Sequence, residues 1–254
     1  MSQNSRLIAA DCTLPAGFLR NRVVLITGAG DGIGKALSLA AAEHGATVIL
    51  LDKNVRKLEL VYDELDARGV PQPAIYPLNL ETATPEHYQE LATTIQEQLG
   101  GLDVLIHNAA SLGKLAPVEH TSIDVWFSTL QTNLTGPFLL TQACLPMLKS
   151  AERADILFIS DAVGRAGRAY WSAYGVSKFA LEGFMQILAA EQANRPELRV
   201  NSIDPGTVRT GLRRSAYPGE DAEQHPLPEQ IAPALLYPLT PDAGEASGVQ
   251  YTVA

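Results

Sequence analysis

Residues 25–37 read LITGAGDGIGKAL, an apolar run that breaks into glycines at 28, 30, 32 and 34 and resumes as a helical pattern. Glycine admits φ > 0 and lets another backbone approach closely. A helix that starts inside such a turn offers its first free N–H groups to whatever lies over it. A pyrophosphate suits those groups. The strict G-x-G-x-x-G spacing fails because Ile33 stands where its last glycine would be. What fits is T-G-x-x-x-G-x-G on Thr27, Gly28, Gly32 and Gly34, with Gly30, Asp31 and Ile33 between them, in the strand-turn-helix context that a nucleotide site needs.

Outward from this turn, short apolar runs alternate with longer helical patterns. RVVLITG precedes a helix over 32–44, ATVILLD one over 55–68, and AIYPLNL one near 85–99. DVLIHNA precedes a long helical pattern near 122–149, ADILFIS one near 172–194, and RVNSIDPG follows. Strands that are almost wholly apolar and separated by helices indicate a parallel sheet buried on both faces. The expected fold is α/β: one doubly wound, Rossmann-like domain with a mostly parallel seven-stranded sheet flanked by helices. It spans 23–254, after an extension over 1–22 that is packed or frayed. The polar, proline-containing segment 211–228 reads as a substrate loop or lid.

A chain of 254 residues with 46% hydrophobic and 6% aromatic residues can bury one full core. Its formal charge of −9 leaves no footprint for nucleic acid or an anionic membrane surface, which need clustered Lys and Arg. A small molecule is the expected partner. Cys12 and Cys144 stand far apart without a C-x-x-C pattern, so no disulfide framework or metal site is indicated, and the chain reads as cytoplasmic.

Asp52 closes the second strand, where a carboxylate can hydrogen-bond the adenosine ribose hydroxyls and repel a 2′-phosphate. That favours NAD over NADP. Lys53 follows and could receive the phosphate instead, but Asp31 adds a second negative charge nearby. Asn79 and Leu80 close the third strand. Asn79 could accept from an adenine amino group or simply cap a turn.

Further motifs follow in order: HNAA at 107–110, Asn133 in QTNLTGPF, Tyr174-Gly-Val-Ser-Lys178, and PGTVRT at 205–210. With the glycine turn they resemble the short-chain dehydrogenase/reductase superfamily over 22–254, and the run at 163–186 is most similar to the YciK-like bacterial oxidoreductases. On a helix, Tyr174 and Lys178 share a face at i and i+4. A neighbouring cation lowers a tyrosine pKa from ~10 towards neutrality, which suits a general acid/base. The resemblance implies that Tyr174 exchanges a proton with the substrate oxygen and that Lys178 also holds the nicotinamide ribose. It implies that Asn133 kinks a helix and holds a water in a proton relay, where the plain alternative is a helix-helix hydrogen bond. Asn108 and Ala109 match the cofactor-lining strand end, which His107 and Ala110 depart from. Pro205, Gly206, Val208 and Thr210 match the segment that grips the carboxamide. The resemblance also implies a homo-oligomer, dimer or tetramer.

The superfamily's serine lies 13 residues before the tyrosine, and that ruler lands on Asp161; Ser160 is one residue off and substitutes only if the strand end bulges. An ionised Asp161 about 4 Å from a developing oxyanion would cost up to ~4 kcal/mol at an effective dielectric of ~20. That corresponds to a roughly thousandfold slower reaction. The expected function is NAD(P)-dependent hydride transfer between nicotinamide and a carbonyl or secondary alcohol. The alternative is a catalytically weak NAD-binding protein with a sensor or assembly role.

Overall fold

A computed structural model describes residues 4–254. Strand β1 (Ser5–Ile8) leads into β2 (Val23–Thr27), α1 (Gly32–Glu43), β3 (Thr47–Asp52), α2 (Val55–Ala67), β4 (Ala74–Pro77), α3 (Pro85–Leu99) and β5 (Val104–His107). The second half runs α4 (Ile123–Leu130), a π-turn (Gln131–Thr135), α5 (Gly136–Ser150), β6 (Ala154–Ile159), α6 (Ser172–Glu191), β7 (Leu198–Asp204), α7 (Gly211–Ala216), α8 (Pro228–Leu236) and β8 (Gln250–Val253).

The sheet has eight strands in the order β1-β8-β7-β6-β5-β2-β3-β4, and every pairing is parallel. This corrects the expected seven: the eighth strand comes from the segment read as an extension. Ser5, Arg6 and Leu7 are exposed and only Ile8 is buried, so β1 lacks the apolar run that marks an internal strand. It adds to the free edge of β8 in the register Ser5↔Gln250 through Ile8↔Val253. Leu19 in the same segment is fully buried. Residues 1–3 of the expected extension lie outside the described residues.

Central strands such as β6 are buried at every position, as a sheet covered on both faces requires. One apolar cluster lies between the sheet and α1 and α8, including Leu37, Leu50 and Leu235; the other lies under α3, α5 and α6, including Tyr88, Phe158 and Met185. The chain order reverses between β5 and β2, and ligands bind outside the carboxyl ends of strands at such a switch point.

Candidate functional site

A cavity of about 560 Å³ opens at that switch point and runs from the glycine turn to the start of α6. Its cofactor end is built by close backbone packing. Gly28 has φ +68° and Gly32 φ +51°. A Cβ on Gly34 would stand 2.0 Å from the Gly28 carbonyl oxygen, so α1 can rise directly under the turn only with glycine there. Asp31 caps α1 by accepting from Gly32 N–H at 2.7 Å, and its other oxygen accepts from Lys57 Nζ at 2.6 Å. The Thr27 hydroxyl accepts from the N–H groups of Asn108 and Ala109 at 3.0 Å each, and the Asn108 amide donates to the Thr27 carbonyl at 2.9 Å. These bonds lock the ends of β2 and β5 together.

Gly28, Asp31, Gly32, Ile33, Asp52, Lys53, Asn79, Leu80, Asn108 and Ala109 line one half of the cavity, and Ser160, Asp161, Tyr174, Lys178, Pro205, Gly206, Val208 and Thr210 the other. Thr27, Gly30 and Gly34 support the turn from behind. Asp52 accepts from Gly30 N–H at 3.3 Å and from Asn54 N–H at 2.9 Å, which fixes its carboxylate at the rim while Lys53 stays exposed. The narrow glycine cradle, the helix N-terminus and the carboxylate at the rim fit a dinucleotide.

At the other end, β6 delivers Asp161, and the 3-10 turn Ala162–Gly164 packs on α6. A Cβ on Gly164 would meet the Lys178 backbone at 2.9 Å, so this glycine sets how closely the turn approaches α6. The residue in register with Tyr174 is Asp161: its Oδ1 accepts from Val163 N–H at 3.0 Å and its Oδ2 accepts from the Tyr174 hydroxyl at 3.0 Å. Ser160 is buried, with its hydroxyl beside Glu182 but outside hydrogen-bonding geometry. Lys178 Nζ donates to the Ile159 carbonyl at 2.7 Å and lies 5.7 Å from the centre of the Tyr174 ring.

Burial pushes the Lys178 ammonium down to about 8, against the pull of Asp161, Glu182 and Asp204. Burial, then the Asp161 carboxylate, holds Tyr174 well above its ordinary value. The tyrosine is therefore protonated at neutral pH, which corrects the expected lowering by Lys178: the ammonium is turned to the Ile159 carbonyl and the group at the hydroxyl is the Asp161 carboxylate. Burial also raises Asp204, with Asp161 adding to the effect against the Gly206 N–H bond. Glu182 stays below the usual carboxylate range despite burial, held by the Arg165 charge and by hydrogen bonds from Ser202 and Gln250.

Asn133 does not line the cavity. It sits in the π-turn, where its Oδ1 accepts from Ser111 N–H at 2.7 Å while its amide donates to the Ser111 carbonyl and the Ser177 hydroxyl, both at 2.9 Å. It thereby ties the β5 exit loop to α6. His107 is a packed side chain: it stacks on Phe158, bonds Thr141 at 2.8 Å, and burial takes its pKa down to about 3. Ala110 packs against the cluster of Val163, Trp171 and Tyr174. Trp171 and Tyr217 line the cavity, whereas Tyr170, with φ +74°, is exposed.

Asp204 was not legible from the sequence; it ends β7 on the cavity wall with its carboxylate accepting from Gly206 N–H at 2.9 Å. Its position just before Pro205-Gly206 is the signal that would have found it. Among the described residues, no group of three or more His, Cys, Asp or Glu side chains is arranged to hold a metal ion, and no helix is long and apolar enough to cross a membrane.

The cavity lies at the switch point of a Rossmann-type sheet with Tyr174 and Lys178 at one end, and residues 22–221 match the family model for short chain dehydrogenases, a class of oxidoreductases. The chain belongs to that family. It is 42% identical over 234 residues to the oxidoreductase YciK of Escherichia coli K12, covering 92% of each chain. It superposes on a short chain dehydrogenase from Pseudomonas syringae with a TM-score of 0.93 and 45% identity, covering 95% of this chain and 98% of that one. A short chain dehydrogenase from Shigella flexneri complexed with NADP gives a TM-score of 0.90 and 40% identity, covering 94% and 99%.

Proposed function

We propose that the chain is an NAD(P)-dependent oxidoreductase that moves hydride between nicotinamide and a carbonyl or secondary alcohol. The observation that carries this reading is the Tyr174–Lys178 pair on one wall of the cavity whose other end is the glycine turn. When bound, the nicotinamide supplies or accepts the hydride. The chain's own groups do the rest. The free N–H groups at the start of α1 hold the pyrophosphate, Asp52 or Lys53 meets the adenosine ribose, and Lys178 meets the nicotinamide ribose. Tyr174 delivers a proton to the substrate heteroatom.

The neighbour that holds NADP weighs for the phosphorylated cofactor, and Asp52 weighs for NAD. Lys53 is the side chain placed to take a 2′-phosphate, so the choice lies with these two adjacent residues.

The test is oxidation of NADH and NADPH over a panel of ketones, diketones and aldehydes by the wild type and Tyr174→Phe. Loss of roughly a hundredfold or more in the variant is expected. Equal rates would remove Tyr174 from the chemistry.

The Tyr174–Asp161 bond favours a second reading, in which the cofactor binds and turnover of carbonyls is weak. It predicts tight cofactor binding with a wild type slower than Asp161→Ser.

The proposed assembly is a homo-oligomer through the helical face, where Ile123, Phe127, Phe138, Phe179 and Ile187 stand exposed. Light scattering at micromolar concentration tests it, and a monomeric mass would sink it. The proposed compartment is the cytoplasm.

A further inference from the structure

The floor of the cavity carries a chemistry that a carbonyl does not match. The Tyr174 hydroxyl points at Asp161 Oδ2, so the two side chains present one donor and one acceptor next to each other. A carbonyl oxygen has only lone pairs and becomes an alkoxide as hydride arrives. It can take the tyrosine's hydrogen bond, but it meets the carboxylate as one acceptor against another.

A carbon–nitrogen double bond meets the same pair differently. Protonated, its nitrogen brings an N–H for Asp161 and a positive charge that the carboxylate stabilises. After reduction the amine's lone pair can accept from Tyr174 while an N–H still donates to Asp161. The iminium engages Asp161 alone while Tyr174 keeps its bond to that carboxylate, and the amine uses donor and acceptor together.

Two further features point to a cation. Asp204 places a second carboxyl group on the same wall, while Lys178, Arg165 and Arg213 are already engaged and Arg168 is held by the Tyr217 hydroxyl. Lys178 donates to the Ile159 carbonyl, Arg165 pairs with Glu182 at 2.9 Å, and Arg213 pairs with Glu220 at 2.6 Å. Trp171 and Tyr217 add aromatic faces to a wall that is otherwise small and aliphatic, and these rings already sit beside cations of the chain itself. The Arg168 guanidinium lies 5.9 Å from the centre of the Trp171 ring and 5.5 Å from that of Tyr217. Carboxylates and aromatic faces around one cavity form the usual setting for an organic cation.

Resting on the reading of this cavity as a hydride-transfer site, we propose that its substrate is a protonated imine reduced to an amine, or that amine oxidised in reverse, with Asp161 as the counter-ion of the nitrogen. In the forward direction the C=N carbon takes the hydride of the reduced nicotinamide cofactor, the π pair moves onto nitrogen, and the nitrogen keeps the proton it arrived with. The positive charge leaves on the oxidised cofactor. No other proton is consumed, so with this substrate Tyr174 offers a hydrogen bond to the product amine in place of the proton it would deliver to a carbonyl oxygen.

The experiment pairs matched substrates, pyrroline with cyclopentanone and dihydroisoquinoline with tetralone, against wild type, Asp161→Asn and Asp161→Ser. Asn keeps the shape and, through its amide oxygen, the Val163 bond, while it removes the charge and turns an N–H towards Tyr174. The expected wild-type kcat/KM for the imine exceeds that for its ketone by about a hundredfold or more, and Asp161→Asn loses most of that ratio. Asp161→Ser reverses the ranking towards the ketone.

Binding supplies a readout independent of turnover. With reduced cofactor present, which cannot take a hydride from them, the saturated amines raise the Tm of the wild type and not of Asp161→Asn. Faster ketone reduction by the wild type, equal imine ratios in wild type and Asp161→Asn, or amine protection that is absent or the same in both would overturn the proposal. Cofactor binding, followed by quenching of protein fluorescence, separates the two levels. If neither NADH nor NADPH binds, the hydride-transfer reading fails and this one with it. If they bind and ketones win, only the imine proposal falls.

Discussion

Tyr174 donates its phenolic proton to Asp161 at 3.0 Å, so the proton donor of the cavity is held by a carboxylate before any substrate arrives. Burial and that carboxylate act in the same direction on the tyrosine. Asp161→Asn should therefore lower the Tyr174 pKa while leaving the fold intact. Titration of tyrosinate absorbance in the cofactor-free protein, with Tyr174→Phe as the blank, measures it. An unchanged or higher value in Asp161→Asn would show that the carboxylate does not govern this tyrosine.

Lys178 gives a stability prediction with a definite sign. Its folded pKa, about 8, lies below the ordinary 10.5, so the folded state resists the charged form. The penalty is present in full below pH 8, reaches roughly 3 kcal/mol as an upper bound, and is relieved as pH rises from about 8 to 10.5. Lys178→Met should raise the Tm of the cofactor-free protein at pH 7, and the gain should shrink by pH 10. A gain that does not vary with pH would point to packing instead.

Selection between the two nicotinamide dinucleotides should move with single charges. Asp52→Asn removes the negative charge at the rim and should improve NADPH affinity relative to NADH by about tenfold, whereas Lys53→Ala should shift it the other way. Dissociation constants for both cofactors, measured at fixed salt because these charges are exposed, give the comparison.

Gly34→Ala should cost several kcal/mol, because its Cβ would stand 2.0 Å from the Gly28 carbonyl and neither backbone can move without opening the turn. Gly219→Ala, where a Cβ meets nothing within 4 Å, serves as the control. Thermal denaturation of the two variants separates them.

The parts of this architecture legible in the sequence were those with strong local signals. The buried parallel strands announced themselves as apolar runs, and the glycine turn and the Tyr174–Lys178 spacing carry their own geometry. Strand β1 escaped because three of its four residues face solvent and its partner lies at the opposite end of the chain. The helical pattern near 122–149 hid a π-turn, since the wider winding is confined to five residues and the spacing on either side of it is that of an ordinary α-helix. Within 211–228, the short helix α7 forms because Thr210 caps it, accepting from Arg213 N–H at 3.1 Å, and a bidentate Arg213–Glu220 pair then fastens the segment. Asp204 went unnoticed because a carboxylate at a strand end looks like any turn residue until the cavity shows what it faces.

The pairing of β1 with β8 has a consequence for how the protein is made. Ser5 lies opposite Gln250, so β1, made well before β8, has no edge to join until β8 follows. During synthesis the rest of the sheet can assemble while β1 waits unpaired, and the edge of β8 is protected only at the end. Contacts of such long sequence separation form slowly. The growing chain thus passes through a stage in which β8 lies bare at the border of the sheet, and the short, mostly polar-faced β1 is the piece that later covers it.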